Sequence, residues 1–159
     1  MTNILRCPQD GFTLPELLVV VAFLSILMGV AVPSFGNMVQ RNRDAAIVNQ
    51  LLSDIRLART EAIKRRVNVQ VVAAAGGWND GWIVEEAVSG DDIRIAEALT
   101  NATLSTVEVT NLAFDNKGAT NQTNNYALTY KPEDCAGERQ ATINISIFGR
   151  VGTAWGNCT

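Results

Sequence analysis

Histidine is absent from the 159-residue chain. That excludes Ser-His-Asp and Cys-His nucleophilic triads and every histidine-ligated metal centre. Cysteine is scarce, with Cys7, Cys135 and Cys158 too widely spread for a metal-ligand spacing. No glycine-rich phosphate loop, nucleophile elbow or large internal repeat occurs. The chain is a poor candidate for an enzyme, and no catalytic residue, metal or cofactor is expected. Basic charge is also thin in the C-terminal part. From residue 67 to 159 five basic side chains stand against eleven acidic ones, a net of −6. DNA affinity comes mainly from phosphate neutralisation, so such a balance opposes it.

What the chain does have is one long apolar run near its N-terminus. From Leu17 to Val32 there is no charge, and Ser25 is the one polar side chain. Counted back to Phe12, the run is about long enough to cross a hydrocarbon layer, which needs roughly 20 residues. Glu16 sits about one helical turn inside it. A carboxylate in lipid costs several kcal/mol unless paired, so it is a functional candidate. A secretory signal peptide has a basic region, an apolar core and then a small-residue cleavage site. The order here is different, because a short polar leader with Arg6 and Asp10 ends at Gly11, ahead of the apolar run. A plain membrane anchor explains the length but not Glu16.

The length suits one domain plus an appended helix. After Pro33 the pattern relaxes, a bend is expected at Gly36, and a second helical pattern runs to about Arg66. Ile47, Leu51, Ile55, Ala58 and Ala62 step along one face. Arg41, Arg43, Asp54, Arg56, Arg59, Glu61 and Lys64 are expected mostly on the other faces, in solvent. From Val67 the period shortens to two. Strands are expected over 67–73 and 82–85, joined by a Gly- and Asn-rich turn at 76–81, and over 93–99, 103–109, 126–131 and 141–148. Residues 111–125, rich in Asn, Asp and Gly, read as loop. One long helix followed by several strands indicates an α+β fold, an antiparallel sheet or small β-sandwich head against the helix.

Gly11, Phe12, Glu16 and Pro33 together resemble the N-terminus of type IV pilins and type II pseudopilins. Glu16 falls at the fifth position of the chain that begins at Phe12. Pro15 departs from the pattern, in a place usually held by an aliphatic residue, but a first helical turn tolerates proline. The resemblance implies removal of 1–11 by a prepilin peptidase and N-methylation of Phe12. It also implies a filament-core and membrane helix over 12–35, an amphipathic helix over 36–66 and a head over 67–159. The mature chain would reside in the bacterial inner membrane, single-pass with a periplasmic head, and then join other pilins or pseudopilins in a filament. Export to an oxidising compartment favours a Cys135–Cys158 disulfide, the alternative being two buried thiols.

The head adds a narrower resemblance. Trp78, Gly81 and Trp82, then Phe114 to Gly118, and Ile143 to Val151, run in the order found in the GspH/FimT family of minor pilins and pseudopilins. That implies a minor pilin which primes or stabilises filament assembly, or a minor pseudopilin of type II secretion. Some members bind DNA through a glycine-arginine-any-arginine motif. Here Gly149 and Arg150 match but the second arginine is Gly152, and a DNA patch would have to come from Arg150, Arg139 and Lys131. Trp78 and Trp82 read as core or turn packing ahead of a carbohydrate or partner platform. Glu85, Glu86, Asp91 and Asp92 read as solvated ahead of a calcium site.

Overall fold

The computed structural model describes residues 13–106 and 111–159, and the side chains of these except 30–34. Helix α1 spans Leu14–Arg65 and is continuous through Pro33 and Gly36. Pro15 lies in its first turn, where no intrahelical partner exists for the missing N–H. Lys64 and Arg65 complement the negative end of the helix dipole in the last turn. Arg66 then adopts φ 60°, the left-handed conformation that ends helices, here without glycine. Two compact units divide at residue 40. Among the described residues the first holds only helix, and the second holds the rest of α1 and every strand.

In the second unit, β1 (Val69–Ala74), β2 (Gly77–Glu86), β3 (Asp92–Ala96) and β5 (Asn111–Phe114) form an antiparallel sheet ordered β3-β2-β1-β5. The strands β4 (Ala102–Thr106), β6 (Tyr126–Pro132), β7 (Gln140–Ile145) and β8 (Val151–Gly156) form a second, ordered β4-β6-β7-β8. With the helix they make an α+β fold around a single apolar core. The first hairpin is tighter than its glycines suggest. Ala74 pairs with Gly77, so the loop is two residues long and 77–81 belong to β2. Gly81 (φ 101°) must be glycine, because a Cβ there would lie 2.3 Å from the Ala96 carbonyl oxygen.

Two strands depart from the expected pattern. Asn111–Phe114, expected as loop, pairs with β1 and buries Leu112 and Phe114 completely. Its polar neighbours hide a four-residue strand that tertiary pairing stabilises. The strand β8 is mostly exposed and contains two glycines, so it carries no burial pattern of its own.

The helix packs through Val48, Leu51, Leu52, Ile55, Ala58 and Ala62. Asp54 and Glu61, expected in solvent, lie on this inward side instead, as does Asp44. Asp54 is three residues after Leu51 and four before Ala58, which puts it on the stripe. It is 0% exposed. Trp82 Nε1 donates to its Oδ2 at 2.9 Å, and its Oδ1 lies 2.8 Å from Arg94 Nε as an ion pair without hydrogen-bond alignment. Asp44 accepts from the Tyr130 hydroxyl at 2.8 Å and from Arg139 Nε at 2.7 Å. Glu61 is held below the ordinary carboxylate range, chiefly by its hydrogen bond from Arg65.

Each aspartate ties α1 to a different sheet: Asp54 to β2 and β3, Asp44 to β6 and to Arg139 ahead of β7. Removing one member of a buried pair costs about 3–5 kcal/mol, because it strands the other charge. Asp44→Ala strands the buried Arg139 and is expected to lower unfolding free energy by about that amount, measured by urea titration of the detergent-solubilised protein. Asp54→Ala leaves Arg94 in solvent but strands the Trp82 indole N–H, so about 1–3 kcal/mol is expected. Burial, reinforced by the bond to Asp44, pushes the Tyr130 hydroxyl upward, and burial pushes Tyr126 upward as well. Below the ordinary value of 10.0 both phenols are protonated folded or unfolded, and their contribution is intact. Above it the unfolded chain loses its protons first, so stability falls as pH rises. Alkaline difference spectroscopy should show the phenolate band rising only on unfolding, later than in a urea-denatured control.

Candidate functional site

Gly11 and Phe12, the expected processing site, lie outside the described residues. Glu16 is described, in the first turn of α1, where the helix dipole favours a negative charge. It is exposed. The residues after it are apolar on every side: Phe23, Leu24, Ile26 and Leu27 point round the helix, and each is 47–68% exposed. A helix that is hydrophobic all round needs to be buried in lipid or among other helices. Ser25 does not disturb this, since its hydroxyl donates to the Val21 carbonyl at 2.8 Å within the helix. Among the described side chains of residues 14–29, Glu16 is the one that carries a charge. Among the described residues no helix is long and apolar enough to cross a membrane. In sequence, the uncharged run continues into 30–34, whose side chains are not described.

In the head, Cys135 and Cys158 form a disulfide with Cα atoms 5.7 Å apart. It ties down the end of the chain together with Cys158 N to the Gly137 carbonyl at 3.0 Å and Thr159 N to Gln140 Oε1 at 3.2 Å. Lys131 Nζ donates to the Thr159 carbonyl.

The proposed DNA patch of Lys131, Arg139 and Arg150 is not formed. Arg139 is buried, and its guanidinium is spent on Asp44 and Asp134, which hold it above its ordinary range. Lys131 and Arg150 lie toward opposite ends of the second sheet. Lys131 pairs with Thr103 beyond the Tyr130–Ala141–Trp155 row, whereas Arg150 precedes the Val151–Ile145–Tyr126 row. Gly149 has a packing role: a Cβ there would lie 2.3 Å from the Gly118 carbonyl oxygen and 2.9 Å from Arg59 Nε. Arg59 Nε itself donates to that carbonyl at 3.0 Å, clasping two loops to the helix.

Trp78 and Trp82 are buried in the core, so neither is a surface platform. Among the described residues no three acidic or cysteine side chains gather as a metal site. The residues that sequence reasoning missed are Asp44 and Asp54. The signal was their spacing, since both fall on the apolar stripe, Asp44 three and four positions before Ile47 and Val48.

Residues 48–149 match the family of type II transport protein GspH, and residues 6–32 match the prokaryotic N-terminal methylation motif. No curated protein matches. Among solved structures, the chain is similar to the type IV minor pilin FimU of Pseudomonas aeruginosa in two crystal forms. In one the identity is 18%, covering 74% of this chain and 92% of that one, with a TM-score of 0.64. In the other it is 19%, covering 69% and 91%, with a TM-score of 0.60. At such identities the likeness concerns the fold.

The disulfide closes a loop of roughly 24 residues, worth about 3 kcal/mol in the chain-entropy picture. Cys135→Ser with Cys158→Ser is expected to cost about that much by urea titration, and dithiothreitol should bring the native protein to the same value without further lowering the variant.

Proposed function

This chain belongs to the GspH/FimT family of type IV pilin-like proteins, and we propose that it serves as a minor pilin of a type IV pilus. In this reading it is a structural subunit that primes or stabilises filament assembly, and it has no catalytic role. A prepilin peptidase cuts between Gly11 and Phe12, Phe12 is N-methylated, and residues 12–35 rest in the inner membrane with the head in the periplasm. Residues 36–66 and 67–159 then form the part that stays outside the filament core.

The observation that carries this reading is the apolar stretch exposed on all faces with a single carboxylate in its first turn. Moving such a helix from lipid into a bundle of like helices leaves its apolar surface satisfied in both places. It leaves Glu16 satisfied only where a cation meets it. The amino group of a neighbouring subunit's Phe12, freed by processing, supplies that cation. Mispairing would strand a buried charge at a cost of about 3–5 kcal/mol, which makes the pair a check on register.

The description of the matched family as type II transport favours a second reading, a minor pseudopilin of a secretion system. The chemistry of Glu16 is the same in both. A DNA receptor gains no support, because Arg139 is internal and Lys131 is remote from Arg150.

Glu16→Val is expected to be processed and to keep a folded head, yet to drop out of sheared filaments, assayed by immunoblot of filament and membrane fractions. Normal incorporation of Glu16→Val would overturn the proposal.

A further inference from the structure

A sheet edge presents a row of unpaired backbone N–H and C=O groups, and proteins blunt it with charge, bulges, proline or a covering segment. Among the described residues the head has four such edges. The strand β3 is short, carries Asp92 and Arg94, and is bulged against β2 between Val84 and Glu85. The edge of β4 is capped by Asn79, whose Oδ1 accepts from Leu104 N at 2.7 Å. The edge of β5 is covered by the following loop. Asn121 N donates to the Ala113 carbonyl at 3.0 Å, Ala113 N donates to Asn121 Oδ1 at 3.2 Å, and Phe114 bridges Thr120.

The fourth edge, β8, has none of these devices among the described residues. Its sequence, from Val151 to Gly156, has no charge and no proline. It pairs with β7 at six consecutive positions without a bulge, and residues 152–156 are exposed on both faces. The Ser146 N–H donates to the Arg150 carbonyl at 2.9 Å, which sets the phase of the ladder. Antiparallel alternation then turns the main-chain groups of 152, 154 and 156 toward β7 and those of Val151, Thr153 and Trp155 outward.

Charge says what suits this edge. Arg150 stands at one end of it. At the other, a groove is lined by Arg41, Asn42 and Asp44 of α1 with Glu138, Arg139 and Trp155, and Asp44 and Arg139 neutralise each other there. Neither Arg41 nor Arg150 has an ion-pair partner among the described residues, and Glu138 is beyond ion-pair reach of Arg41. We infer that the free edge of β8 is a strand-addition site for an extended acidic segment of a different subunit. Main-chain bonds supply affinity in this mode, and flanking side chains supply orientation. Antiparallel pairing of two β8 strands would set Arg150 of each copy near the Arg41 end of the other, so a second copy is the poorer match. That the partner is a filament subunit rests on the proposed function; that the edge accepts an acidic strand does not.

The test titrates the full chain in detergent micelles with a synthetic peptide of alternating valine and threonine ending in glutamates. The same peptide ending in lysines is the control. Amide exchange is expected to slow at Val151, Thr153 and Trp155 with the acidic peptide, and to stay unchanged in β3. Thr153→Pro removes an outward N–H and spares the β7 ladder, so it should keep β7 protection while binding about tenfold weaker or worse. Arg41→Glu with Arg150→Glu should switch the preference to the lysine peptide, and it carries the test alone if the proline disturbs β7. The inference is overturned by an unprotected edge, by protection at another edge, by equal binding of both peptides, or by self-association through β8 in their absence. None of these outcomes bears on the incorporation of Glu16→Val, so the two readings fail separately.

Discussion

Two carboxylates buried on one face of a helix hold this head together in a defined arrangement. Asp44 and Asp54 are ten positions apart, about 15 Å along the axis, and each meets an aromatic donor and an arginine from a different sheet. Apolar burial drives the helix onto the sheets but is non-directional. A stripe of Val48, Leu51, Ile55, Ala58 and Ala62 would tolerate some rotation or sliding. The aspartates would not, because any shift leaves a charge, a phenol or an indole N–H buried without its partner. Buried ion pairs add little net stability over apolar replacements, and their best-attested use is registry.

That registry matters because the same helix continues into the apolar stretch. Residues 17–29 expose apolar side chains on every face, whereas 41–159 carry their own core. The two parts solve opposite solvation problems on one continuous helical backbone. At the start of the first, Glu16 is the one carboxylate among described residues 14–29, and it is exposed. In the second, the carboxylates of the stripe are satisfied from within. A filament subunit requires both, a core segment that is stable only in company and a head that is stable by itself.

The loops follow the same logic of close packing around the helix. Arg59 reaches the Gly118 carbonyl, and Gly149 lies against both, so two loops from different strands meet at one guanidinium. The glycines are required by the close approach, which explains a glycine before Arg150 without reference to any ligand. The disulfide and the bonds of Cys158 and Thr159 secure the last residues beside β7, and β8 is left as the exposed edge between these anchors.

Much of this was legible in the residues themselves. The apolar run, Glu16 within it and the break in period near Val67 all depend on local order, and local order is what a sequence displays; the Cys135–Cys158 pair followed from the cysteine count and expected export. The helix face from Ile47 to Ala62 was readable by spacing. The charged positions on that face were not, because an aspartate looks the same on a stripe whether water or a tryptophan N–H satisfies it. The partners, Trp82 and Tyr130, are 28 and 86 positions away. In the same way β5 exists because β1 offers an edge, Arg139 is internal because Asp44 lies opposite, and β8 is exposed because no described segment packs over it. These are consequences of long-range juxtaposition, and only the folded chain decides them.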